Sequence, residues 1–172
     1  MEKLILIGSA GAGKSTLSKQ LANLLSLDLY HLDKLFWQPN WVLSDKDKQI
    51  NIQQEIFKQP SWIIDGNYGD TLDLRINEAD TIIFLDLPRR VCIYRALKRV
   101  VTNYGKTRPD MGDGCPERFD FSFIKWIWHF KNKQRVAIIH TLSQIPPTKT
   151  VIRLTSKKEV EQFLLSLSEK NI

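Results

Sequence analysis

The sequence predicts an α/β protein with a parallel β-sheet whose strands are joined by crossover helices. Short apolar runs typical of buried strands alternate with longer stretches whose apolar residues recur at helical spacing. A glycine-rich loop joins the first of these strands directly to the first helix. Asp33 and Asp65 each follow a strand, at the edge where parallel sheets present their ligand-binding groups. The length of 172 residues fits a single domain that spans 1–172.

Composition and charge narrow the class of protein. Hydrophobic residues at 42% and charged residues at 26% are ordinary for a globular domain. No apolar run reaches the length of a membrane span and no signal peptide is recognisable, so we expect a cytoplasmic protein without a membrane partner. Cys92 and Cys115 alone make neither a disulfide framework nor a zinc site. The net charge of +6 suits a nucleic-acid surface or an enzyme that closes cations on polyphosphates, and the dispersed cations favour the enzyme.

The strongest motif lies between the first strand and the first helix. Residues 4–7 form an apolar run, and residues 15–25 place leucines on one helical face. Between them the G-x-x-x-x-G-K-[ST] phosphate-loop pattern is complete, with Gly8, Ser9, Ala10, Gly11, Ala12, Gly13, Lys14 and Ser15. A plain glycine-rich turn would not explain a Lys-Ser pair at this offset. These residues and Thr16 are therefore predicted to bind the nucleotide.

The loop predicts a specific chemistry. Its glycines let backbone N–H groups turn toward an anion, and the helix start adds partial positive charge. Lys14 is predicted to bridge the β- and γ-phosphates of ATP, and the Ser15 hydroxyl to coordinate Mg²⁺.

Residues 27–33 predict a second strand that leads into a loop. Asp33 at its end could hold a metal-bound water or take a proton from the acceptor, and it could equally cap the next helix. His31 beside it is more typical of a packed residue than of a base. Trp37 and Trp41 could stack on a nucleotide base or cover the sheet edge.

A helix that starts at 44–47 leads to the third strand, residues 62–65. An apolar strand that ends in an aspartate is the Walker-B arrangement, so Asp65 is predicted to order the metal or its waters. Asn67 and Tyr68, which follow, are predicted to bind substrate. Arg75 is the candidate that grips the acceptor.

Residues 81–86 predict the fourth strand, and Pro88 suits the first turn of the helix after it. Arg95 and Arg99 lie four residues apart on one face of that helix, where they could meet an anion or remain solvated. Residues 103–117 then form a long irregular stretch that contains Lys106 and Arg108. Loops of this length are often lids, and this one is predicted to close cations over phosphates.

The last third of the chain predicts one aromatic-rich helix over 121–142, a fifth strand over 150–154, and a final helix capped by Ser156. In the long helix, the apolar Phe123, Ile127 and Phe130 partly alternate with Lys125, Lys131 and Lys133, and Trp126 and Trp128 lie among them. This pattern could mimic a nucleic-acid face, although a packed helix with snorkelling lysines explains it as well.

Together these stretches resemble the adenylate-kinase-like nucleoside and nucleotide kinases of the P-loop group. They resemble still more closely a bacterial subgroup labelled DNA topology modulation (FlaR-type) proteins. Residues 8–15, 30–33 with both nearby tryptophans, 62–68 and 105–112 carry the resemblance, which covers almost the whole chain. It implies a three-layer P-loop NTPase fold with a five-stranded parallel sheet ordered 2-3-1-4-5. It also implies a lid insertion at about 103–118, an acceptor-binding segment at about 32–60, and ATP with Mg²⁺ as phosphoryl donor.

The predicted function is an ATP-dependent kinase that transfers the γ-phosphoryl group to a small acceptor, expected to be a nucleoside monophosphate or a related metabolite. The predicted catalytic residues are Lys14, Asp33, Arg95, Arg99 and Arg108. Adenylate kinases carry an Asp-Gly-Phe-Pro-Arg run, whereas here Asp65-Gly66 is followed by Asn67-Tyr68, and the next arginine is Arg75. The alternative is an ATP-binding regulator of DNA topology that binds nucleic acid without phosphorylating an acceptor.

Overall fold

A five-stranded parallel sheet forms the core of the computed structural model, which describes residues 1–170. Its strands are β1 (Lys3–Gly8), β2 (Leu29–His31), β3 (Trp62–Asp65), β4 (Thr81–Leu85) and β5 (Thr150–Leu154). They lie in the order β2-β3-β1-β4-β5, and every neighbouring pair is parallel. The predicted α/β class and the strand order 2-3-1-4-5 are confirmed.

Helices cover both faces of this sheet. They are α1 (Lys14–Leu25), α2 (Leu32–Phe36), α3 (Lys46–Phe57), α4 (Leu72–Glu78), α5 (Arg89–Asn103), α6 (Phe121–Phe130), α7 (Gln134–Ser143) and α8 (Lys157–Lys170). Residues of α1, α5 and α8 share one apolar cluster with Leu4 and Leu6 of β1. Residues of α3, α4 and α7 share the other with Ile5 and Ile7. Successive strand residues point to opposite faces, so a strand covered on both sides is apolar throughout.

Two predicted helix starts are confirmed by their caps. The Asp45 carboxylate accepts a hydrogen bond from the Lys48 backbone N–H at 2.8 Å, just before α3. The Ser156 hydroxyl accepts one from the Glu159 backbone N–H at 3.2 Å, just before α8.

Helix α2 begins one residue before Asp33, with His31 at its cap position. The interpretation of Asp33 as a helix cap is therefore wrong. Its side chain lies in the first helical turn, where a carboxylate interacts favourably with the helix dipole. It also lines a cavity of about 850 Å³.

The single helix predicted over 121–142 is interrupted. Helix α6 ends at Phe130 and α7 begins at Gln134, because Lys133 has non-helical backbone angles of φ −118° and ψ −80°. Ile127 packs in the apolar cluster of one sheet face, and Phe130 packs in the cluster of the other. The chain bends as it passes from one face to the other, a tertiary constraint that apolar periodicity does not reveal.

Two segments project over the carboxyl edge of the sheet. The first, the hairpin (residues 37–43), pairs the short strands Trp37–Gln38 and Val42–Leu43 around a turn at Pro39–Trp41. The second, the lid (residues 103–118), contacts the hairpin through a hydrogen bond from the Asn40 backbone N–H to the Gly114 carbonyl at 3.0 Å. No helix among residues 1–170 is long and apolar enough to cross a membrane.

Candidate active site

The phosphate loop adopts a backbone path that requires glycine. Gly11 has a φ of +75°, and a Cβ added there would lie 2.2 Å from the Cys92 carbonyl oxygen. Gly8 has a φ of +142°, and its added Cβ would lie 2.4 Å from the Leu85 carbonyl oxygen. Side chains are excluded at both positions by main chain, which cannot move aside as a flexible side chain could.

Lys14 is positioned directly over this loop. It is the first residue of α1, and its Nζ donates hydrogen bonds to the carbonyls of Gly8 and Ser9, each at 3.1 Å. The ammonium group is thereby held at the helix N-terminus, where backbone N–H groups without helical partners also favour an anion. Ser15 follows in the same turn and lines the cavity.

A cavity of about 850 Å³ opens from the loop and brings most of the predicted site residues together. From the predicted set it is lined by Ala10, Gly11, Gly13, Lys14, Ser15, Thr16, Asp33, Trp37, Trp41, Asp65, Asn67, Tyr68, Arg95, Arg99 and Arg108. Gly8, Ser9 and Ala12 shape the loop without lining this cavity. Its volume lies in the upper part of the range of small-molecule sites, so it has room for more than one small ligand.

Asp33 lies on the side of the cavity formed by α2 and the hairpin. The Tyr68 hydroxyl donates a hydrogen bond of 2.7 Å to its Oδ1. Burial raises the pKa of Asp33 above its ordinary value, and the Tyr68 hydrogen bond and the Lys14 charge only partly oppose this. Burial and the neighbouring Asp33 also raise the pKa of Tyr68, so its hydroxyl remains a donor. The pair holds a carboxylate whose affinity for a proton is increased.

Asp65 ends β3 beside the phosphate loop, as the Walker-B arrangement predicts. Its Oδ2 lies 2.9 Å from His31 Nδ1, and both side chains are at least nine-tenths buried. Its Oδ1 is also buried, and within residues 1–170 no protein group hydrogen-bonds to it. Asn67 anchors the same edge through its Oδ1, which accepts a hydrogen bond from the Gly8 N–H at 3.3 Å.

The predicted cations are held in place by carboxylates and carbonyls. Arg95 donates to the Ala12 carbonyl at 3.0 Å, which fixes it against the phosphate loop. Arg99 and Arg108 both pair with Glu117, at 3.2 and 2.9 Å. Arg108 also pairs with Asp110 at 2.7 Å. Burial and the nearby Arg108 lower the pKa of Arg99.

Arg75 does not face the cavity, and its prediction as the acceptor-gripping residue is wrong. It is fully buried, and burial lowers its pKa to about 10. Its guanidinium donates to Gln53 Oε1 at 2.7 Å, to Thr71 Oγ1 at 2.9 Å and to the Tyr68 carbonyl at 2.8 Å. It supports the Tyr68 side of the cavity from behind by tying α3 and α4 to the segment after β3.

Several lining residues were missed by the sequence reasoning, namely Asp110, Met111, Glu117, Arg118, Phe123 and Trp126. The sequence did contain a signal for Glu117 and Asp110. Both are acidic residues in the same predicted lid as Arg108, so an ion pair with that arginine could have been predicted. Phe123 and Trp126 have parallel rings 6.1 Å apart.

The residues present fit ATP and Mg²⁺. The glycine path, the Lys14 ammonium and the start of α1 form an anion cradle. The Ser15 hydroxyl and the unpaired Oδ1 of Asp65 are the kind of oxygen that Mg²⁺ or its bound waters take. Among residues 1–170 no cluster of three His, Cys, Asp or Glu side chains could hold a metal. Oxygens from Ser15, Asp65 and substrate phosphates are a typical Mg²⁺ environment.

Solved structures share this fold. Shikimate kinase from Acinetobacter baumannii, in complex with shikimate, is 12% identical with a TM-score of 0.55, over 99% of this chain and 92% of that chain. Shikimate kinase from Bacteroides thetaiotaomicron is 17% identical with a TM-score of 0.54, over 97% and 96%. A protein from Chloroflexus aurantiacus, provisionally described as a kinase, is 15% identical with a TM-score of 0.52, over the whole of both chains.

At these identities the likeness is one of fold. The chain shares the α/β fold of these solved structures, and the predicted α/β fold with a five-stranded parallel sheet is confirmed. No family model and no curated protein matches the chain. Membership of the adenylate-kinase-like group and of the DNA topology modulation subgroup stays a prediction.

Proposed function

We propose that this protein is a kinase that transfers the γ-phosphoryl group of Mg-ATP to a small acceptor. One observation carries the proposal: a single cavity contains both the phosphate loop and a second group of side chains around Asp33 and the two hairpin tryptophans. An enzyme that only hydrolysed ATP would need the first group but not the second.

The donor end of the cavity binds and orients the triphosphate. Loop N–H groups and the start of α1 hold the phosphates, and Lys14 exchanges its bonds to the Gly8 and Ser9 carbonyls for phosphate oxygens. Ser15 and Asp65 would hold Mg²⁺ or its waters, with His31 fixing the Asp65 carboxylate. The metal would neutralise charge on the β- and γ-phosphate oxygens.

The acceptor end positions the attacking group and takes its proton. Asp33 is the carboxylate available for this role, and its raised pKa increases its affinity for the proton released by a hydroxyl. Trp37, Trp41 and Asn67 line the same cavity and would orient the acceptor. Arg95, Arg99 and Arg108 line the same cavity, where they would offset charge on the transferred group.

Substitution of Lys14 by alanine tests the proposal. The assay is Mg²⁺-dependent conversion of ATP to ADP across a panel of nucleosides, nucleoside monophosphates and small metabolites. We expect one acceptor to stimulate turnover, and Lys14→Ala to reduce that turnover by about 10²–10³-fold, because a preorganised charge on the transferred group is lost. Lys98→Ala, on the exposed side of α5, is the matched control and should leave turnover unchanged.

Acceptor-stimulated turnover that survives Lys14→Ala would contradict the site assignment. ATP binding without stimulation by any acceptor would favour the alternative function, a nucleotide-dependent regulator that binds nucleic acid. That alternative predicts duplex binding that weakens steeply with salt and with neutralisation of Lys125, Lys131 and Lys133. Trp126 contributes little to such a surface, because it packs against Phe130 with ring centroids 5.5 Å apart.

A further inference from the structure

A second cavity, of about 490 Å³, borders the phosphate loop and shares no lining residue with the first. Ser9 lines it from the loop, residues 85–90 from the end of β4 and the start of α5, and Arg153 from β5. Lys131 and Arg135 line it from the junction of α6 and α7. Its volume is within the range of small-molecule sites, and the proposed phosphoryl transfer does not use it.

The lining of this second cavity is strongly positive. Among residues 1–170 one carboxylate lines it, Asp86, against five cations, which are Arg89, Arg90, Lys131, Arg135 and Arg153. The Asp86 carboxylate is already shared, because Arg135 Nε donates to its Oδ1 at 2.6 Å and Arg153 Nε donates to its Oδ2 at 2.8 Å. Within the described residues the other three cations form no ion pair. Five cations less one carboxylate leave a net charge of +4.

The start of α5 adds to this positive potential. The helix begins at Arg89, and no acidic residue lies in its first turn. Backbone N–H groups at a helix start favour an anion, so two arginines there are unfavourable unless an anion joins them. The guanidinium carbon of Arg89 lies 3.9 Å from the centre of the Trp128 ring. Stacking on the ring holds the plane of the guanidinium and leaves its N–H groups free to donate at the edge.

The Ser9 hydroxyl is an independent indication of a ligand. Ser9 is 5% exposed and lines the second cavity, and within residues 1–170 its Oγ has no hydrogen-bond partner. The Cys92 thiol, behind the loop, donates instead to the Leu87 carbonyl at 3.8 Å. A buried hydroxyl without a partner is unfavourable, and an acceptor oxygen on a ligand would satisfy it.

Solvation explains only part of this cluster. Arg90 and Lys131 are exposed, as isolated surface cations commonly are. Arg89 and Arg135 are only partly exposed, and the Asp86 side chain between the cations is 6% exposed. Partly desolvated cations without an equal number of carboxylates are unfavourable, and a bound anion removes the imbalance. Phosphate suits such a site because its several oxygens accept from arginines that approach from different directions.

We propose that the second cavity binds a small phosphate-bearing molecule, at the same time as the phosphate loop holds its nucleotide. The cations of the cavity and the Ser9 hydroxyl hold the phosphate group. The remainder of the molecule lies against the apolar side chains of Leu87 and Phe130, which line the same cavity. The site does not depend on phosphoryl transfer, so the proposed function and this proposal can fail separately.

Residue-specific binding of inorganic phosphate tests the proposal. The full protein, labelled with ¹⁵N and saturated with Mg²⁺ and a non-hydrolysable ATP analogue, is titrated with inorganic phosphate at constant ionic strength. We expect saturable chemical-shift changes at the amides of Ser9, Arg89 and Arg135, because these residues line the second cavity. The absence of saturable changes at these amides overturns the proposal. Changes that appear only without the ATP analogue also overturn it, because the phosphate then occupies the phosphate loop.

Two neighbouring lysines separate a cavity site from a diffuse basic surface. Lys131 lines the second cavity, whereas Lys133, also exposed, does not. Lys131→Gln should weaken phosphate binding by about threefold or more, because a charge-assisted hydrogen bond is lost. Lys133→Gln is the matched control and should change it by less than about 1.5-fold, because exposed charges are screened at constant ionic strength. Equal weakening by both variants overturns the proposal.

The same titration with a short DNA duplex distinguishes a nucleic-acid surface from a small-molecule site. Duplex binding that both lysine variants weaken alike, without saturable changes on addition of inorganic phosphate, favours nucleic acid and overturns the proposal. Saturable phosphate binding that depends on Lys131 and not on Lys133 supports it.

Discussion

The phosphate loop is built from main chain and fixed from behind by the sheet, whereas the acceptor end is built from side chains and closed by the lid. Gly8 and Gly11 touch the carbonyls of Leu85 and Cys92, which belong to β4 and α5. Asp33 instead depends on a hydroxyl from Tyr68, which in turn is held by Arg75 through its carbonyl. The phosphate loop therefore has no space for a side chain at these two glycines, whereas the acceptor end depends on a series of polar contacts between side chains.

This difference separates binding of a common ligand from choice of a particular one. Triphosphates present the same oxygens in every nucleotide, so a backbone cradle recognises them without side-chain specificity. Acceptors differ in shape and charge, and side chains supply that discrimination. We therefore expect substitutions at the donor end to reduce nucleotide binding and the free energy of unfolding together. Substitutions at the acceptor end should instead alter acceptor selectivity and the pH dependence of the rate.

The largest expected effect is at Gly11. Gly11→Ala forces a side chain into the left-handed region, which costs about 1–2 kcal/mol, and drives its Cβ into the Cys92 carbonyl. We expect a total loss of about 3 kcal/mol or more of unfolding free energy, together with loss of ATP binding. Urea denaturation and nucleotide titration measure the two effects.

Substitutions at two other glycines separate the two contributions to the Gly11→Ala effect, the backbone conformation and the clash of the added Cβ. Gly105 has a φ of +73° but no atom within 4 Å of its added Cβ, so Gly105→Ala should show only the backbone cost of about 1–2 kcal/mol. Gly69→Ala, with neither a positive φ nor a neighbour, should change stability by less than about 0.5 kcal/mol. If all three variants were equally stable, the claim that the loop is fixed by contact with β4 and α5 would fail.

The next effect concerns the support behind the acceptor end. Arg75→Met keeps an unbranched apolar stem but removes the guanidinium, which leaves Gln53, Thr71 and the Tyr68 carbonyl without their donor. Because buried acceptors then lack partners, we expect a loss of about 2 kcal/mol or more in unfolding free energy by urea denaturation. Arg90→Met, on the exposed start of α5, is the control and should be neutral. Unchanged stability with a raised KM for the acceptor would instead restore Arg75 as an acceptor-gripping residue.

The smallest expected effect is a shift in pH dependence. Asp33 must be ionised to take a proton, so the rate falls as pH drops through its pKa, which burial has raised. The Tyr68 hydroxyl opposes that rise by hydrogen-bonding the ionised form. Tyr68→Phe should therefore raise the pKa of Asp33 further and move the acidic limb of the kcat/KM profile to higher pH. An acidic limb that stays in place, or moves to lower pH, would remove Asp33 as the proton acceptor.

The sequence predicted the donor end more completely than the acceptor end, for a physical reason. The phosphate loop is contiguous, so its spacing alone specifies the backbone path, and Asp65 follows a recognisably buried strand. The predicted strand order came from the family resemblance, and the structure has the same order. Local sequence is sufficient wherever the chemistry is carried by neighbouring residues.

Contacts between residues that are far apart in the sequence could not be predicted from local sequence patterns. Whether Arg75 points into the cavity or into the core depends on how α4 packs against α3, and the spacing of residues on α4 does not specify this. The pairing of Glu117 with both Arg99 and Arg108 depends on how the lid folds back. The bend between α6 and α7 likewise follows from burial on two sheet faces.

The contact between the lid and the hairpin links two equilibria. The Trp41 indole donates to the Pro116 carbonyl at 3.2 Å, the Cys115 thiol donates to the Gln38 carbonyl at 3.0 Å, and the Gly112 backbone lies directly against the Trp37 carbonyl. A lid that swings away breaks these bonds and also uncovers the tryptophans. The two equilibria are thermodynamically linked. A molecule that binds more tightly when the lid contacts the hairpin shifts the lid toward the closed position, and closing of the lid raises the affinity for that molecule by the same factor. Under the proposed function, departure of the phosphorylated product and reopening of the lid would therefore be coupled events.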